Sequence, residues 1–554
     1  MLGPIISAAH ANKPLFVGPL MLVISLGGFG CISTLSFGPG IGPVPIGGPT
    51  APLTAADVTA VITAAAKSLN DRKLVIAVTD REGNILGLFR KNRAVTTTQA
   101  LLAGRLVQVD TNELAVSLAR TGAFFSNDQA PLSSRTVRMI SREHFPPTFD
   151  ANGAVTGVKN TAPGALWDIE NTNKGCVLST AYNAGMAIAP PMNVLRTGPG
   201  IGIATIPGGV PLYKGNKLVG GVGVTGTTPD LSEFAAISGA AGAGFVLSAI
   251  PPPGEIFIDG VRLPFIHDDF SEPVLTTLLE FDLRRPFGTA PDAFMNLAVV
   301  GAFVPIPLLT DTTMTIGGTQ PSLRPNVPEG WLVGPIGSPQ ISASEVAAIV
   351  EQTVIQANIT RAAIRLPLDQ PAKMVISVSD LNGRIIGLFR MADATVFSID
   401  VAATKSRNVA YLSSLKRSIL DLPGVPLGTA VTNRTLRFGS QPFYPQGIDD
   451  TFPGPFAPLR VRNQNFPCSQ GFRNPGGPNQ SGIVFFPGSV PLYKFGVVLV
   501  GGLGVSGDGV DQDDIVSAAG GRFLEPAPHL RADNQTLLGA RLPWLKFPRA
   551  PQDR

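Results

Sequence analysis

Apolar residues recur along this chain with two periods, and the change from one to the other sketches its architecture. Val58, Val61, Ile62, Ala65 and Leu69 follow the spacing of one helical face, as do Val346, Ile349, Val350, Val354 and Ala357. Ahead of each stripe a Thr or Ser stands three residues before an acid, Thr54 with Asp57 and Ser342 with Glu345, the sequence form of a reciprocal N-terminal cap. Each pattern predicts an amphipathic helix whose apolar stripe packs on a sheet. The runs that follow are Lys73-Leu-Val-Ile-Ala-Val-Thr-Asp80-Arg-Glu-Gly83-Asn-Ile-Leu-Gly-Leu-Phe-Arg90 and Lys373-Met-Val-Ile-Ser-Val-Ser-Asp380-Leu-Asn-Gly383-Arg-Ile-Ile-Gly-Leu-Phe-Arg390. Each reads as two β-branched-rich strands around a tight turn with Asp first and Gly fourth, the type I preference.

These matches open a tandem duplication. Ser134-Arg-Thr-Val-Arg138 corresponds to Asn433-Arg-Thr-Leu-Arg437, and Pro207-Gly-Gly-Val-Pro-Leu-Tyr213-Lys214 to Pro487-Gly-Ser-Val-Pro-Leu-Tyr493-Lys494. Gly220-Gly-Val-Gly-Val-Thr-Gly226 corresponds to Gly501-Gly-Leu-Gly-Val-Ser-Gly507, and Gly260-Val-Arg-Leu-Pro-Phe265 to Gly539-Ala-Arg-Leu-Pro-Trp544. Changing offsets between these anchors mark insertions, which loops absorb at little entropic cost. The expected layout is a leader and Gly/Pro-rich spacer over 1–52, a first copy over 53–267, a connector over 268–340, a second copy over 341–547 and a tail over 548–554. The apolar run Phe294–Leu309 in the connector contains Pro305 and Pro307, which argue against a spanning helix. The connector is expected to be ordered and to wrap the first copy.

Composition narrows the classes. With 62 Gly and 51 Pro in 554 residues and 44% hydrophobic residues, the chain has many turns yet ample apolar surface for cores. A formal net charge of +4 is too slight to argue for a nucleic-acid surface. Cys31, Cys176 and Cys468 lie far apart, and no two of His10, His144, His267 and His529 stand at ligand spacing. That argues against a cysteine zinc cluster, a covalent c-type haem and a multi-histidine centre. No catalytic constellation emerges. Leu15 to Phe37 carries no charge, follows Lys13 and precedes a Gly/Pro-rich stretch. It reads as an export signal with Cys31 as a lipid-modified first mature residue, or as an uncleaved membrane anchor, or as the product of a mistaken start. Export implies the periplasm or cell envelope, where Cys176 and Cys468 are free to pair.

Asp80-x-x-Gly83, Gly87-Leu-Phe-Arg90, the Pro-Gly-Gly-Val-Pro-Leu segment and Gly-Val-Gly-Val-Thr-Gly together resemble the GlcG/HbpS family of haem-binding and glycolate-utilisation-associated domains. The second copy is similar, down to its Gly504-Val-Ser-Gly-Asp-Gly-Val-Asp-Gln-Asp-Asp514 ending; the resemblance covers Leu53 to Phe265 and Ile341 to Phe547. It implies an α/β (α+β) architecture of two profilin-like sandwiches, each an antiparallel sheet flanked by helices, often assembled into homo-oligomers. Some members bind haem, some are linked to haem degradation, and the domain accompanies corrinoid enzymes of the PduO type. Haem is therefore the candidate cofactor. Lys91-Asn-Arg-Ala94 departs from the family's Met-Asp-Gly-Ala more than Met391-Ala-Asp-Ala394 does, which points ligand binding toward the second copy.

Candidate ligand contacts follow from residue type. Arg90, Arg135 and Arg138, with counterparts Arg390, Arg434 and Arg437, suit haem propionates or a small organic acid, or else internal carbonyls and acids. Tyr213 and Tyr493 are candidate phenolate ligands to iron, or rings covering a hairpin with surface hydroxyls. His144 would serve one copy only, and His267 sits among acids. Neither G-x-G-x-x-G match is followed by a strand ending in an acid about twenty residues on, as a dinucleotide site requires, and both are read as tight strand packing. Asp508, Asp511, Asp513 and Asp514 lack calcium-loop spacing and are read as an acidic first helical turn. Two functions follow: an exported binding protein for haem or another small anion, or a structural protein whose repeats pair as a ligand-free internal pseudo-dimer.

Overall fold

The computed structural model describes residues 52–149, 155–172, 201–246, 256–267, 300–304, 329–465 and 482–546. The Leu15–Phe37 run and all three cysteines lie outside them. The described residues belong to one compact unit, Gly47–Arg554.

Helix α1 (Ala55–Ser68) starts on the expected reciprocal cap, with Thr54 N donating to Asp57 Oδ2 at 2.8 Å and Asp57 N to Thr54 Oγ1 at 3.2 Å. The two strands after it are β1 (Val75–Asp80) and β2 (Ile85–Lys91), closed by the Gly83 N to Asp80 O bond of the turn. Helix α2 (Thr111–Phe125) follows, then the short α3 (Ser134–Met139), strands β3 (Gly209–Lys214) and β4 (Lys217–Thr225), and α4 (Pro229–Gly242). The sheet is antiparallel, in the order β5-β2-β1-β4-β3, and its edge strand β5 (Gly301–Phe303) comes from the connector. Helices α1 and α4 cover one face and α2 the other.

The second sheet has the same order. Strands β6 (Gly330–Val333), β7 (Met374–Ser379), β8 (Ile385–Arg390), β9 (Ser489–Lys494) and β10 (Val498–Gly507) run β6-β8-β7-β10-β9, all antiparallel. Helices α5 (Ala343–Ile359), capped by Ser342 and Glu345, and α9 (Val510–Gly520) lie on one face, and α6 (Phe397–Leu412) on the other. The described part of the connector thus gives an edge strand to each sheet. Helices α7 (Asn433–Gly439) and α8 (Ala457–Asn465) complete the second copy.

The glycine repeats lie inside β4 and β10, where they set the distance between sheet and helix. A Cβ on Gly223 would stand 2.1 Å from Ala115 O of α2, and one on Gly504 2.2 Å from Ala402 O of α6. These glycines permit backbone-to-backbone contact between strand and helix, and no dinucleotide-binding strand-to-helix turn forms there. The capping acids also tie helix to sheet, since Lys214 and Lys494, which end β3 and β9, reach Asp57 and Glu345, each at 2.8 Å.

One buried cluster runs through both copies, joining Phe125, Val137, Ile140 and Leu166 to Phe397, Phe486, Val490 and Val505. Phe125 and Phe397 stack with centroids 4.2 Å apart. Polar links reinforce the junction. Asp393 takes Arg81 of the first copy at 2.6 Å and Arg365 of the second at 2.7 Å. Arg437 donates to the carbonyls of Pro163, Gly164 and Ala165 at 2.8, 2.6 and 2.9 Å. His144 packs against Phe443, 6.2 Å between ring centroids, so matching positions of the two copies face each other. That is the arrangement expected around a local two-fold.

Candidate functional site

The recurring arginines are built into the fold. Arg135 on α3 holds Glu233 at 2.9 Å and also Asp230, both from α4; Arg434 on α7 repeats this with Asp511 at 2.8 Å and Asp514, both from α9. In each copy one guanidinium therefore clamps two carboxylates near the start of the last helix, three residues apart. Burial, opposed by Arg135, leaves the Glu233 carboxyl pushed up to about 7. Burial also works against the Asp511 carboxylate, yet its bond from Lys546 and the charge of Arg434 hold it below the ordinary range.

Arg90 donates to Asn112 at 2.6 Å and to the carbonyls of Ala94 and Val95, each at 2.9 Å. Arg390 is buried, donates to Ala394 O at 3.0 Å and lies 3.7 Å from Glu329; burial pulls its pKa down to about 9. Arg437, spanning the two copies, is likewise pulled down to about 9 by burial. Arg138 makes no side-chain hydrogen bond among the described residues, and burial, helped by the charge of Arg142, lowers it to about 10. The tyrosine hydroxyls lie inside, not at the surface as the covering-ring reading expects. Tyr213 donates to Asn127 O at 2.8 Å, and the Tyr493 hydroxyl is buried without a partner among the described residues. Burial raises both phenols. The acids after β10 do more than face a helix dipole: Asp508 pairs with Arg365, and Asp513 with Lys405 at 2.9 Å.

A concave site lies elsewhere in the second copy. A cleft of about 480 Å³ opens between the β9 and α9 side, with Val490, Pro491 and Ile515, and the C-terminal side, with Leu542 and Trp544. Its volume is in the range of small-molecule sites. None of the eight arginines and tyrosines expected from the sequence lines it. Its cations are instead Arg531, Arg541 and Lys546. Asp533 takes Arg531 at 2.9 Å and Arg541 at 3.2 Å, so one carboxylate orients two guanidiniums; Glu525 also lines the cleft, which thus carries three cations and two carboxylates. Arg531 also lies over the Trp544 ring, 5.2 Å from its centroid, and Lys546 reaches Asp511 at 2.8 Å. The sequence carries one trace of this site: Trp544 and Arg541 belong to the tail motif that matches Gly260–Phe265. Among the described residues, no group of three or more His, Cys, Asp or Glu is placed to hold a metal ion, and no helix is long and apolar enough to cross a membrane.

Residues 353–522 match the model of the family described as haem degrading protein HbpS-like. The matched stretch is a GlcG/HbpS-like domain and falls wholly in the second copy. Two solved structures also match. The PduOC:heme complex is 21% identical, covering 33% of this chain and 94% of its own, with a TM-score of 0.22. The Klebsiella pneumoniae protein ORFY, of family DUF336, is 22% identical, covering 33% and 86%, with a TM-score of 0.20. No curated protein matches the chain.

Proposed function

We propose that this chain is an exported haem-binding protein of the GlcG/HbpS kind, in which two copies of the domain form an internal pseudo-dimer and the second copy holds the ligand. The observation that carries the reading is the match of residues 353–522 to the haem-degrading HbpS-like family. The same family origin for the first copy rests on the repeated motifs and on a sheet with the same strand order. The cleft beside Trp544 is the chosen site because its lining suits the group. Apolar side chains and an indole face a flat macrocycle, and Arg531, Arg541 and Lys546 face its carboxylates. Haem bound there supplies the iron redox chemistry; the chain's own part is to hold the ring and neutralise its two acids. Among the described residues lining the cleft there is no His, Cys, Met or Tyr, so affinity rests on the ring and the acids.

Titrating hemin into the full-length protein and following the visible spectrum tests the proposal. A saturable shifted Soret band is expected, with metal-free protoporphyrin competing at similar affinity and Arg541→Ala with Lys546→Ala weakening binding at least tenfold. Absence of saturation, or binding indifferent to both substitutions, refutes it. The second reading, a structural protein without a ligand, draws on one observation: most of the repeated arginines are spent on internal acids and carbonyls. It gains if hemin gives no shift.

A further inference from the structure

The two copies differ sharply at one end of the sheet. Strands β3 and β4 turn through Gly215 and Asn216, both at positive φ, and β4 leaves the turn by Lys217. The equivalent turn between β9 and β10 is Phe495-Gly-Val497, followed by Val498. Phe495 also takes a left-handed conformation, φ 53°, which a bulky residue seldom adopts, and it is 93% exposed. Val497 and Val498 are exposed beside it. The helix connections differ too: α2 joins α3 through residues 126–133, whereas α6 joins α7 through residues 413–432. The longer connection exposes Leu415, Ile419, Leu420 and Leu427, the first to 75%. It is nonetheless fixed. Arg417 is buried and donates to Val425 O at 2.6 Å and Pro426 O at 2.9 Å, and the Tyr411 hydroxyl donates to Asp421 at 3.1 Å.

These features share one end of the second copy. Helix α6 runs along β10 toward the turn, with Ala402 O over Gly504 and Ser406 O over Gly502. Leu415 lies against Gly428. Ala430 N donates to Leu530 O at 2.8 Å and Ala527 N to Gly496 O at 2.7 Å, so residues 527–530 tie the connection to the turn. Tyr493 N donates to Leu524 O at 2.7 Å, which sets the exposed Arg522 and Phe523 beside β9. Ser379 stands opposite Gly502, so the turn from Asp380 to Arg384 belongs to this end as well.

An apolar surface of this extent marks an interaction site, and its charge selects the partner. Arg384, Lys416 and Arg522 are exposed, and none is in an ion pair among the described residues. Of the acids there, Glu345 and Asp421 are paired with Lys494 and Arg462. Asp380 is buried and accepts from the N–H groups of Asn382 and Arg384, and Glu525 is exposed. A second copy docked by this end around a two-fold would bring the cations toward one another. An anionic lipid surface takes both parts, apolar side chains at the acyl boundary and basic ones at the headgroups.

We infer that this end of the second copy docks on a bilayer surface carrying anionic phospholipid, with the β9–β10 turn and the 413–432 connection entering the interface. None of the apolar side chains named here lines the cleft beside Trp544, so the inference is independent of haem binding.

Vesicles of phosphatidylcholine with phosphatidylglycerol, added to the full-length protein, test this. Because the Leu15–Phe37 run is itself apolar, the readout is local. Phe495→Trp is compared with Ile359→Trp, an exposed position whose neighbour Thr360 accepts from Ala372 N just ahead of β7, at the opposite end of the sheet. With acyl-brominated lipid, the fluorescence that Phe495→Trp adds to the parent's is expected to fall at least twofold, and that added by Ile359→Trp to hold. Phe495→Ser with Leu415→Ser is expected to weaken vesicle binding at least tenfold. Lys416→Glu with Arg522→Glu is expected to abolish any preference for phosphatidylglycerol over phosphatidylcholine alone. All four side chains are exposed, so the circular dichroism of both double variants should match the parent. Equal quenching at the two positions, none in Phe495→Trp, or binding indifferent to both double variants overturns the inference. So does a concentration-dependent dimer that Phe495→Ser with Leu415→Ser abolishes in a protein that binds no vesicles.

Discussion

Replacing Gly504 by Ala tests the packing role of the glycine repeat against a nucleotide-binding role. The added methyl carbon would stand 2.2 Å from Ala402 O and 2.5 Å from Ser406 N, both in the backbone of α6. Ordinary carbon–oxygen contacts begin near 3.4 Å, so the helix would have to withdraw by about 1 Å along its buried face. Neither atom is the end of a flexible side chain, and α6 is fixed in place by its own buried members of the core cluster, Ile399, Ala402 and Ala403. Forced overpacking of this kind costs about 1–3 kcal/mol, occasionally more. Urea unfolding followed by circular dichroism should show the midpoint falling with an unchanged slope, by the amount that loss implies. Gly223→Ala should behave alike, since Ala115 O stands at 2.1 Å. Unchanged stability in both variants, with lost binding of an immobilised dinucleotide that the parent retains, would refute the packing argument.

Two further outcomes follow from the interior. Phe397→Ala removes a ring stacked on Phe125 across the junction and should cost about 3–5 kcal/mol; calorimetry should show one lowered transition for the whole described unit, whereas two separate transitions would mean the copies unfold independently. Burial raises the Glu233 carboxyl to about 7, so its folded form binds a proton more readily than the unfolded chain does. Its contribution to stability is complete below the ordinary carboxylate range and is lost as pH rises through about 7. Melting temperatures at pH 5 and 7.5 should therefore fall less with rising pH in Glu233→Gln, where Arg135 still keeps Asp230; an identical fall in both proteins contradicts the assignment.

Much of the architecture is legible because its signals are local. The stripes at Val58 and Val346, the Thr54 and Ser342 caps and the Asp80 and Asp380 turns depend on neighbours within a few residues, and each marks the element found. The glycines of β4 and β10 are readable as packing residues for the same reason: neither motif is followed by a strand ending in an acid at the spacing a nucleotide would require. Sites depend on what long loops bring together, and there sequence patterns carry less warning. Arg135 and Arg434 recur because each clamps two acids of a distant helix, up to 98 residues on for Arg135 and up to 80 for Arg434, a constraint that repetition alone does not distinguish from ligand binding. Arg531 and Trp544 meet around a cleft whose opposite wall is Val490, and no spacing rule joins those positions.

The central claim, that the second copy alone presents the porphyrin cleft, is tested most directly by stoichiometry. Equilibrium titration of the full-length protein at a concentration well above the dissociation constant should break at one hemin per chain. In Trp544→Ala that break should disappear while the protein remains folded. Two hemins per chain, or a single one unaffected by the loss of Trp544, would contradict the account.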